Sequence, residues 1–214
     1  MLRRALFAVF PLALALAQPV HAQVQFPVPP PELKVGEVAR YATIDLWNNR
    51  QLSATESQLV EIQAERLVVR TKRSDQAEFR TVLFTRDWQP CRSMQGSDVL
   101  VCDGALKFPL QPGGKMRYDK LPWPNGQGHS SAECEVKGEE KLTVAAGTFD
   151  TVKVECAGFW NRLFGNTSSG RQVEAYWYAP KIGRFVRSQY TDYNSAGGGI
   201  VNKTQTDLVE FVGK

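Results

Sequence analysis

The four cysteines are the residues of this sequence with the clearest chemical role: Cys91, Cys102, Cys134 and Cys156. The intervals between them contain 10, 31 and 21 residues, so there is no CxxC motif. Neither a zinc knuckle nor a thioredoxin-type redox site is therefore indicated. An even number of cysteines in an exported chain favours disulfides, because the compartment is oxidising. Three pairings of the four cysteines are possible.

Side chains suited to catalysis are scarce. Nucleophilic catalysis of the Ser-His-Asp kind needs a histidine, and the sequence beyond residue 22 offers only His129, in a Gly-rich stretch. Carboxylates remain as candidates for acid–base or metal chemistry, in the cluster Glu133, Glu135, Glu139 and Glu140. Strand alternation places the first two of these on a polar face opposite Cys134, which indicates a solvated surface. We predict no catalytic residue, no metal and no cofactor.

Residues 1–22 have the three zones of a secretory signal peptide. Two arginines precede the apolar run Ala5–Ala17, and Val20-His21-Ala22 forms a small-residue cleavage site. The run is short for a bilayer span and is interrupted by Pro11, so we expect cleavage and no transmembrane anchor afterwards. Residue 23 is Gln rather than Cys, so lipid attachment is not indicated. The predicted location is periplasmic or secreted.

The charge of the remaining chain does not favour nucleic acid as a partner. Without the two arginines of the leader, 26 basic residues become 24, against 22 acidic residues, which is a net charge of +2. We interpret the local basic cluster as a solvated strand end and loop, with a partner-binding patch as the alternative. This cluster contains Arg66, Arg70, Lys72 and Arg73.

The rest of the sequence predicts an all-β, antiparallel fold. Residues 23–32 form a proline-rich arm, after which short apolar stretches alternate with Gly, Asn, Asp and Pro. In "SAECEV" and "FDTVKVECAGFW" the alternation of side chains places Cys134 and Cys156 on apolar faces, where they can pair. Gly96-Ser97 suits a hairpin loop, and counting outward from it places Cys91 opposite Cys102.

The chain contains an internal repeat. "LKVGEVARY" from Leu33 returns as "LQPGGKMRY" from Leu110, at an offset of 77 residues, and the match continues further along. We predict a duplication with a first β repeat at 33–107 and a second at 108–214. Two such units would pair as halves of one sheet system or barrel, each covering the free edge of the other.

Residues 53–72 could instead form an amphipathic helix. Ser53 and Glu56 imitate a capping box, and Leu59 and Ile62 share a helical face. The repeat aligns this segment with a strand-like segment of the second half, so we predict strands here.

The second half resembles a family of uncharacterised exported β-proteins from Gram-negative bacteria. The stretches that carry the resemblance are "FPLQPGGKMRY", "VKGEEKLTVAAGTFDTVKVEC" and "YWYAPKIGRFVRSQY". They are similar to the family's PLxxGxxW strand, its VPAGTF hairpin and its YWYAPxxG strand, with Met116 in place of Trp and Ala145 in place of Pro. The resemblance implies tandem β-sheet or barrel-like domains. It implies no activity, cofactor or ligand.

Aromatic side chains are the remaining candidates for a binding site. Trp177 falls on the opposite strand face from Tyr176 and Tyr178, so we expect one face inside and the other half exposed. Core packing is one interpretation, and a groove or barrel mouth that accepts an apolar or sugar-like ligand is the other. The candidate lining residues are Trp123, Trp160, Tyr176, Trp177, Tyr178 and Phe185.

These observations favour a non-catalytic binding or scaffolding protein of the cell envelope. Its partner would be an envelope lipid, glycan or protein. The alternative is an envelope hydrolase that uses carboxylates alone. An inward-facing pair of acids in a cleft would favour the enzyme, and a dry aromatic cavity would favour ligand binding. An outer-membrane barrel is disfavoured by the cysteines, the proline arm and the C-terminal lysine.

Overall fold

The computed structural model describes residues 24–194 and 198–213, so the predicted signal peptide lies outside the described residues. Within these ranges the regular structure is β apart from one short 3₁₀ helix, Pro180–Ile182, which confirms the all-β prediction. The strands are β1 Val38–Asp45, β2 Gln51–Ile62, β3 Arg66–Arg73, β4 Arg80–Thr85, β5 Pro90–Arg92, β6 Val101–Cys102, β7 Lys115–Pro122, β8 Gly128–Val144, β9 Gly147–Arg162, β10 Ser168–Ala179, β11 Arg184–Asn194 and β12 Ile200–Val212.

All twelve strands belong to one antiparallel sheet that curls into a nearly closed barrel. Each strand pairs with its neighbours in sequence except at β6 and β7, and β1 also pairs with β12 along its whole length. The two free edges of the sheet are β6 and β7, which lie side by side without a ladder between them. We call this gap the seam. Side chains bridge it, since Lys107 Nζ donates a hydrogen bond to the Arg117 carbonyl at 3.0 Å.

Residues 53–72 are strands, as predicted. β2 and β3 form a hairpin in which Leu59 pairs with Val69. Leu59, Leu67 and Val69 are almost fully buried, whereas Arg66 and Arg70 are exposed, which is the period-two pattern of a strand with one face on the core. A helix would not separate these side chains in this way.

Both predicted disulfides are present, Cys91–Cys102 and Cys134–Cys156. In each case the two cysteines are directly opposite each other in neighbouring strands. The Cys91–Cys102 hairpin has a longer connection than the two-residue loop that Gly96-Ser97 suggests, because β5 ends at Arg92 and β6 begins at Val101. The register is nevertheless the one obtained by counting outward from the turn.

The β8–β9 hairpin extends beyond the rest of the sheet and covers part of it. Its two strands are joined at Val144 and Gly147 by a two-residue turn. Leu142 and Val144 near this turn pack in one buried cluster with Trp177, Val186 and Leu208 of β10, β11 and β12. The expectation that one aromatic face would be half exposed is therefore wrong, because Trp177 is only 6% exposed.

The proline-rich arm is part of the core. Val28 pairs with Leu110 in the connection between β6 and β7, and both side chains are at most 1% exposed. This connection also contains the boundary at residues 107/108 between the predicted repeats. Each proposed repeat contributes six consecutive strands to the sheet. Their origin by duplication stays a prediction.

A buried ion pair joins the start of the barrel to β11. Arg184 Nη2 donates to Glu37 Oε2 at 2.8 Å, and the two residues are 2% and 7% exposed. The Arg184 guanidinium also lies 3.8 Å from the ring centroid of Trp88, in the β4–β5 connection. Burial lowers the pKa of Arg184 because it disfavours the charged form.

The described part of the chain contains no helix with the length and apolar character needed to cross a bilayer.

Candidate functional site

A cavity of about 480 Å³ lies inside the curved sheet, between strands of both halves of the chain. We call it the barrel cavity. This volume is within the range of about 300–1,000 Å³ that is typical of small-molecule sites. Nearly half of its lining residues are aromatic: Phe84, Trp88, Tyr118, Trp123, Tyr176, Phe185 and Tyr190.

One end of the barrel cavity is formed by Trp88 and Phe84, whose rings stack with centroids 4.8 Å apart. Trp88 has a φ of 60°, a left-handed conformation that is unfavourable for a bulky residue. The tight connection after β4 imposes it, because the Trp88 amide donates to the Thr85 carbonyl and the Thr85 amide to the Gln89 carbonyl. The strain is offset by the contacts of the indole ring with Phe84 and Arg184.

The other end is formed by Trp123, in the β7–β8 connection. Its Nε1 donates to Ser130 Oγ at 3.0 Å, and its ring centroid lies 6.1 Å from that of Trp160. Small residues make room for both rings. A Cβ at Gly128 would lie 2.8 Å from the Trp123 ring, and a Cβ at Gly170 would lie 2.6 Å from the Trp160 ring.

The polar centre of the barrel cavity is the carboxylate of Glu174. Tyr118 Oη and Tyr176 Oη donate to its Oε2 at 3.0 and 2.8 Å. Gln172 Nε2 donates in turn to the Tyr118 hydroxyl at 3.1 Å, which fixes the orientation of that ring. Burial raises the pKa of Glu174, and the two tyrosine hydrogen bonds oppose this shift without cancelling it.

The raised pKa of Glu174 makes stability depend on pH. The native protein holds the Glu174 proton more tightly than the unfolded chain does. The resulting contribution of Glu174 to the free energy of unfolding is therefore complete below the unfolded pKa of about 4.3, and it is lost as pH rises through the native pKa. Tyr118, Tyr176 and Tyr190, which share the cavity, stay neutral in this window because burial raises their pKa values further, and Arg92 stays charged.

We therefore expect wild-type stability to fall, relative to Glu174→Gln, as pH rises from about 4. The glutamine cannot ionise, but its amide oxygen can still accept hydrogen bonds from the two tyrosines. Urea midpoints measured for both proteins at several pH values would show the difference. If the urea midpoints of the two proteins changed in parallel with pH, the Glu174 carboxyl group would have the same pKa in the native and unfolded states.

Arg92, the last residue of β5, is the cation of the barrel cavity. Its Nη1 donates to the Pro122 carbonyl at 3.3 Å, across the seam. Among residues 24–194 and 198–213 it forms no salt bridge, although Glu174 lines the same cavity. Burial lowers the pKa of Arg92 because the guanidinium has lost much of its hydration.

The structure brings together three of the six aromatic candidates, since Trp123, Tyr176 and Phe185 line the barrel cavity. Trp160 packs behind Trp123 and donates through Nε1 to Asp192 Oδ1 at 3.2 Å. The other two are core residues. The ring of Tyr178 makes edge contacts with Phe108 and Phe185, and Trp177 lies under the β8–β9 hairpin.

Sequence reasoning missed the two charged residues of the barrel cavity, Arg92 and Glu174. The inward position of Glu174 could have been predicted from the alternation of side chains in a strand. Every second residue of β10 lies on the same face, and this face contains Gln172, Glu174, Tyr176 and Tyr178. A glutamate between inward-facing aromatics is an exception to the usual exposure of acids. Arg92 carries no comparable signal, since β5 has only three residues.

The acids considered from sequence lie on the outside of the sheet. Glu133 and Glu140 are exposed, and Glu135 forms a salt bridge with Lys137 at 3.0 Å while half exposed to solvent. Within the described ranges no group of three or more His, Cys, Asp or Glu side chains is arranged to hold a metal ion.

Solved structures with a similar fold come from two bacteria. A predicted lipoprotein from Parabacteroides distasonis has a TM-score of 0.55 and 15% identity, over 86% of this chain and 97% of that chain. A predicted exported protein from Bacteroides fragilis, described as having a YmcC-like fold, has a TM-score of 0.53 and 17% identity, over 87% and 99%. No protein-family model and no curated protein matches the chain. At these identities the likeness shows a shared fold alone.

Proposed function

We propose that this chain is an exported, non-catalytic binding protein of the cell envelope and that its ligand occupies the barrel cavity. The main support for the proposal is the cavity itself, because nearly half of its lining residues are aromatic and two charged side chains lie inside it. Apolar walls with a few placed polar groups are typical of small-molecule sites.

Export and a periplasmic or secreted location are supported by three independent features. Residues 1–22 have the composition of a signal peptide. Two disulfides are typical of proteins that work in oxidising compartments. The structures with a similar fold are described as an exported protein and a lipoprotein. Membership of the uncharacterised exported family of Gram-negative bacteria is part of the same proposal.

The carboxylate content of the barrel cavity favours binding over hydrolysis. Acid–base hydrolysis by carboxylates uses two of them on either side of the scissile bond. The residues that line the cavity include one carboxylate, Glu174, and its Oε2 already accepts two hydrogen bonds.

Native mass spectrometry of protein purified from its own envelope tests the proposal. We expect wild-type protein to carry a reproducible extra mass. Ala105→Leu places additional methyl groups in the cavity wall, so the occupied fraction should fall several-fold. Ala64→Leu, at an exposed turn between β2 and β3, is the matched control and should keep the extra mass.

Two results would contradict the proposal. One is a bare protein mass for wild type, Ala105→Leu and Ala64→Leu, which would favour a role in protein scaffolding instead. The other is an unchanged occupied fraction in Ala105→Leu, provided that its circular dichroism and unfolding midpoint match those of Ala64→Leu.

A further inference from the structure

Arg92 is half-buried and, unlike the buried Arg184, has no salt-bridge partner among the described residues. Arg184 is neutralised by Glu37 at 2.8 Å and lies over an indole ring. Arg92 has no carboxylate oxygen within 4.0 Å among the described residues. A guanidinium has five N–H donors, and one of those in Arg92 is used, toward the Pro122 carbonyl.

An unpaired, largely dehydrated cation is unfavourable unless something compensates it. Glu174 attracts Arg92 but lies beyond salt-bridge distance from it, and its Oε2 already accepts hydrogen bonds from two tyrosine hydroxyls. The remaining lining residues are uncharged. The charged groups of the barrel cavity are therefore a carboxylate held by two tyrosine hydroxyls and the guanidinium of Arg92, most of whose N–H donors are unused among the described residues.

The position of Arg92 indicates where a charged group would bind. Its hydrogen bond to the Pro122 carbonyl places the guanidinium beside Trp123, at the end of the barrel that contains the β7–β8 connection. Trp88 and Phe84 lie toward the opposite end, because the β4–β5 connection joins strands there. The cavity thus has a cationic end and an apolar aromatic end.

From this arrangement we infer that the ligand is an anionic amphiphile whose carboxylate or phosphate pairs with Arg92 and whose apolar body lies against Trp88, Phe84 and Phe185. Arginine suits both head groups, because its planar donors match their oxygen atoms. A cationic or neutral amphiphile would leave Arg92 uncompensated. This inference rests on the proposed function, since it assigns a ligand class to the barrel cavity.

Matched amphiphiles that differ only in the head group test the inference. Delipidated wild-type protein is titrated with dodecanoate, dodecyl phosphate, dodecanol and dodecylammonium, by calorimetry and by quenching of tryptophan fluorescence. We expect both anions to bind at least about ten-fold more tightly than dodecanol, as charged hydrogen bonds allow, and dodecylammonium to bind most weakly. The ratio between the two anions shows whether a carboxylate or a phosphate is preferred.

Variants then test whether Arg92 causes the preference for anionic amphiphiles. Arg92→Met keeps the length of the side chain without its charge, so we expect anion affinity to fall by about ten- to a hundred-fold while dodecanol affinity is unchanged. Arg92→Lys should retain part of the preference for anions. Arg66→Met, at an exposed position at the start of β3, is the control and should bind like wild type.

Equal affinity for dodecanoate and dodecanol in wild type would overturn the inference but leave the cavity a binding site. The inference would also be overturned if Arg92→Met lowered the affinities for the anions and for dodecanol by the same factor, because Arg92 would then support only the cavity wall. Binding of no amphiphile, together with a bare mass for protein from its own envelope, would overturn the proposed function as well.

Discussion

Replacing Glu37 by alanine is expected to destabilise the protein by about 3–5 kcal/mol, because it leaves Arg184 buried and uncompensated. Arg184 is 2% exposed, so water cannot replace the lost carboxylate. The expected loss is a large part of the stability of an ordinary domain. Urea or guanidinium unfolding, followed by tryptophan fluorescence, would measure it.

Two further variants separate charge burial from packing. Glu37→Met combined with Arg184→Met should recover most of the loss, because a buried ion pair replaced by apolar side chains of similar size is often neutral. Asp75→Ala breaks an exposed pair with Arg73, at 2.9 Å, and should change the unfolding midpoint little. A similar small change in Glu37→Ala would show that Arg184 reaches water in the native protein.

Removing the Cys134–Cys156 disulfide with two alanines is expected to cost about 3 kcal/mol in the chain-entropy model, for its separation of 22 residues. This loss of stability should affect unfolding of the whole protein and not one local region. β8 and β9 pair along nearly their whole length, so their ladder remains in place without the covalent link.

The Cys91–Cys102 disulfide should behave differently. Its separation is half as long, 11 residues, so the entropic term is smaller by only about 0.6 kcal/mol. However, β5 and β6 share just two paired positions, so this link holds β6 at the seam. We expect its removal to speed hydrogen exchange around β5 and β6 well before global unfolding. Equal exchange patterns in the two double variants would contradict this distinction.

Local patterns were sufficient to predict the fold class and the disulfide partners. Alternation along β8 and β9 assigned Cys134 and Cys156 to one face, and that face is the buried one. The strands in residues 53–72 were predicted from the internal repeat, because the local signals there also allowed a helix. The disulfide partners could be found from local patterns because they are only 11 and 22 residues apart.

The features that were missed depend on distant parts of the chain. Val28 is buried because Leu110 pairs with it, and Trp177 is buried because the β8–β9 hairpin covers it. The barrel cavity places Arg92 and Glu174 in one lining, although they are far apart in sequence and β5 has only three residues. A binding site formed by curling a sheet cannot be located until the curvature is known.

The seam offers a way to divide and reconnect the polypeptide. Every ladder among the twelve strands lies within residues 38–102, within 115–212, or between β1 and β12. Cleavage at the exposed Gln111–Pro112 bond would thus remove no ladder, and two fragments produced from separate genes should reassemble through the β1–β12 pairing.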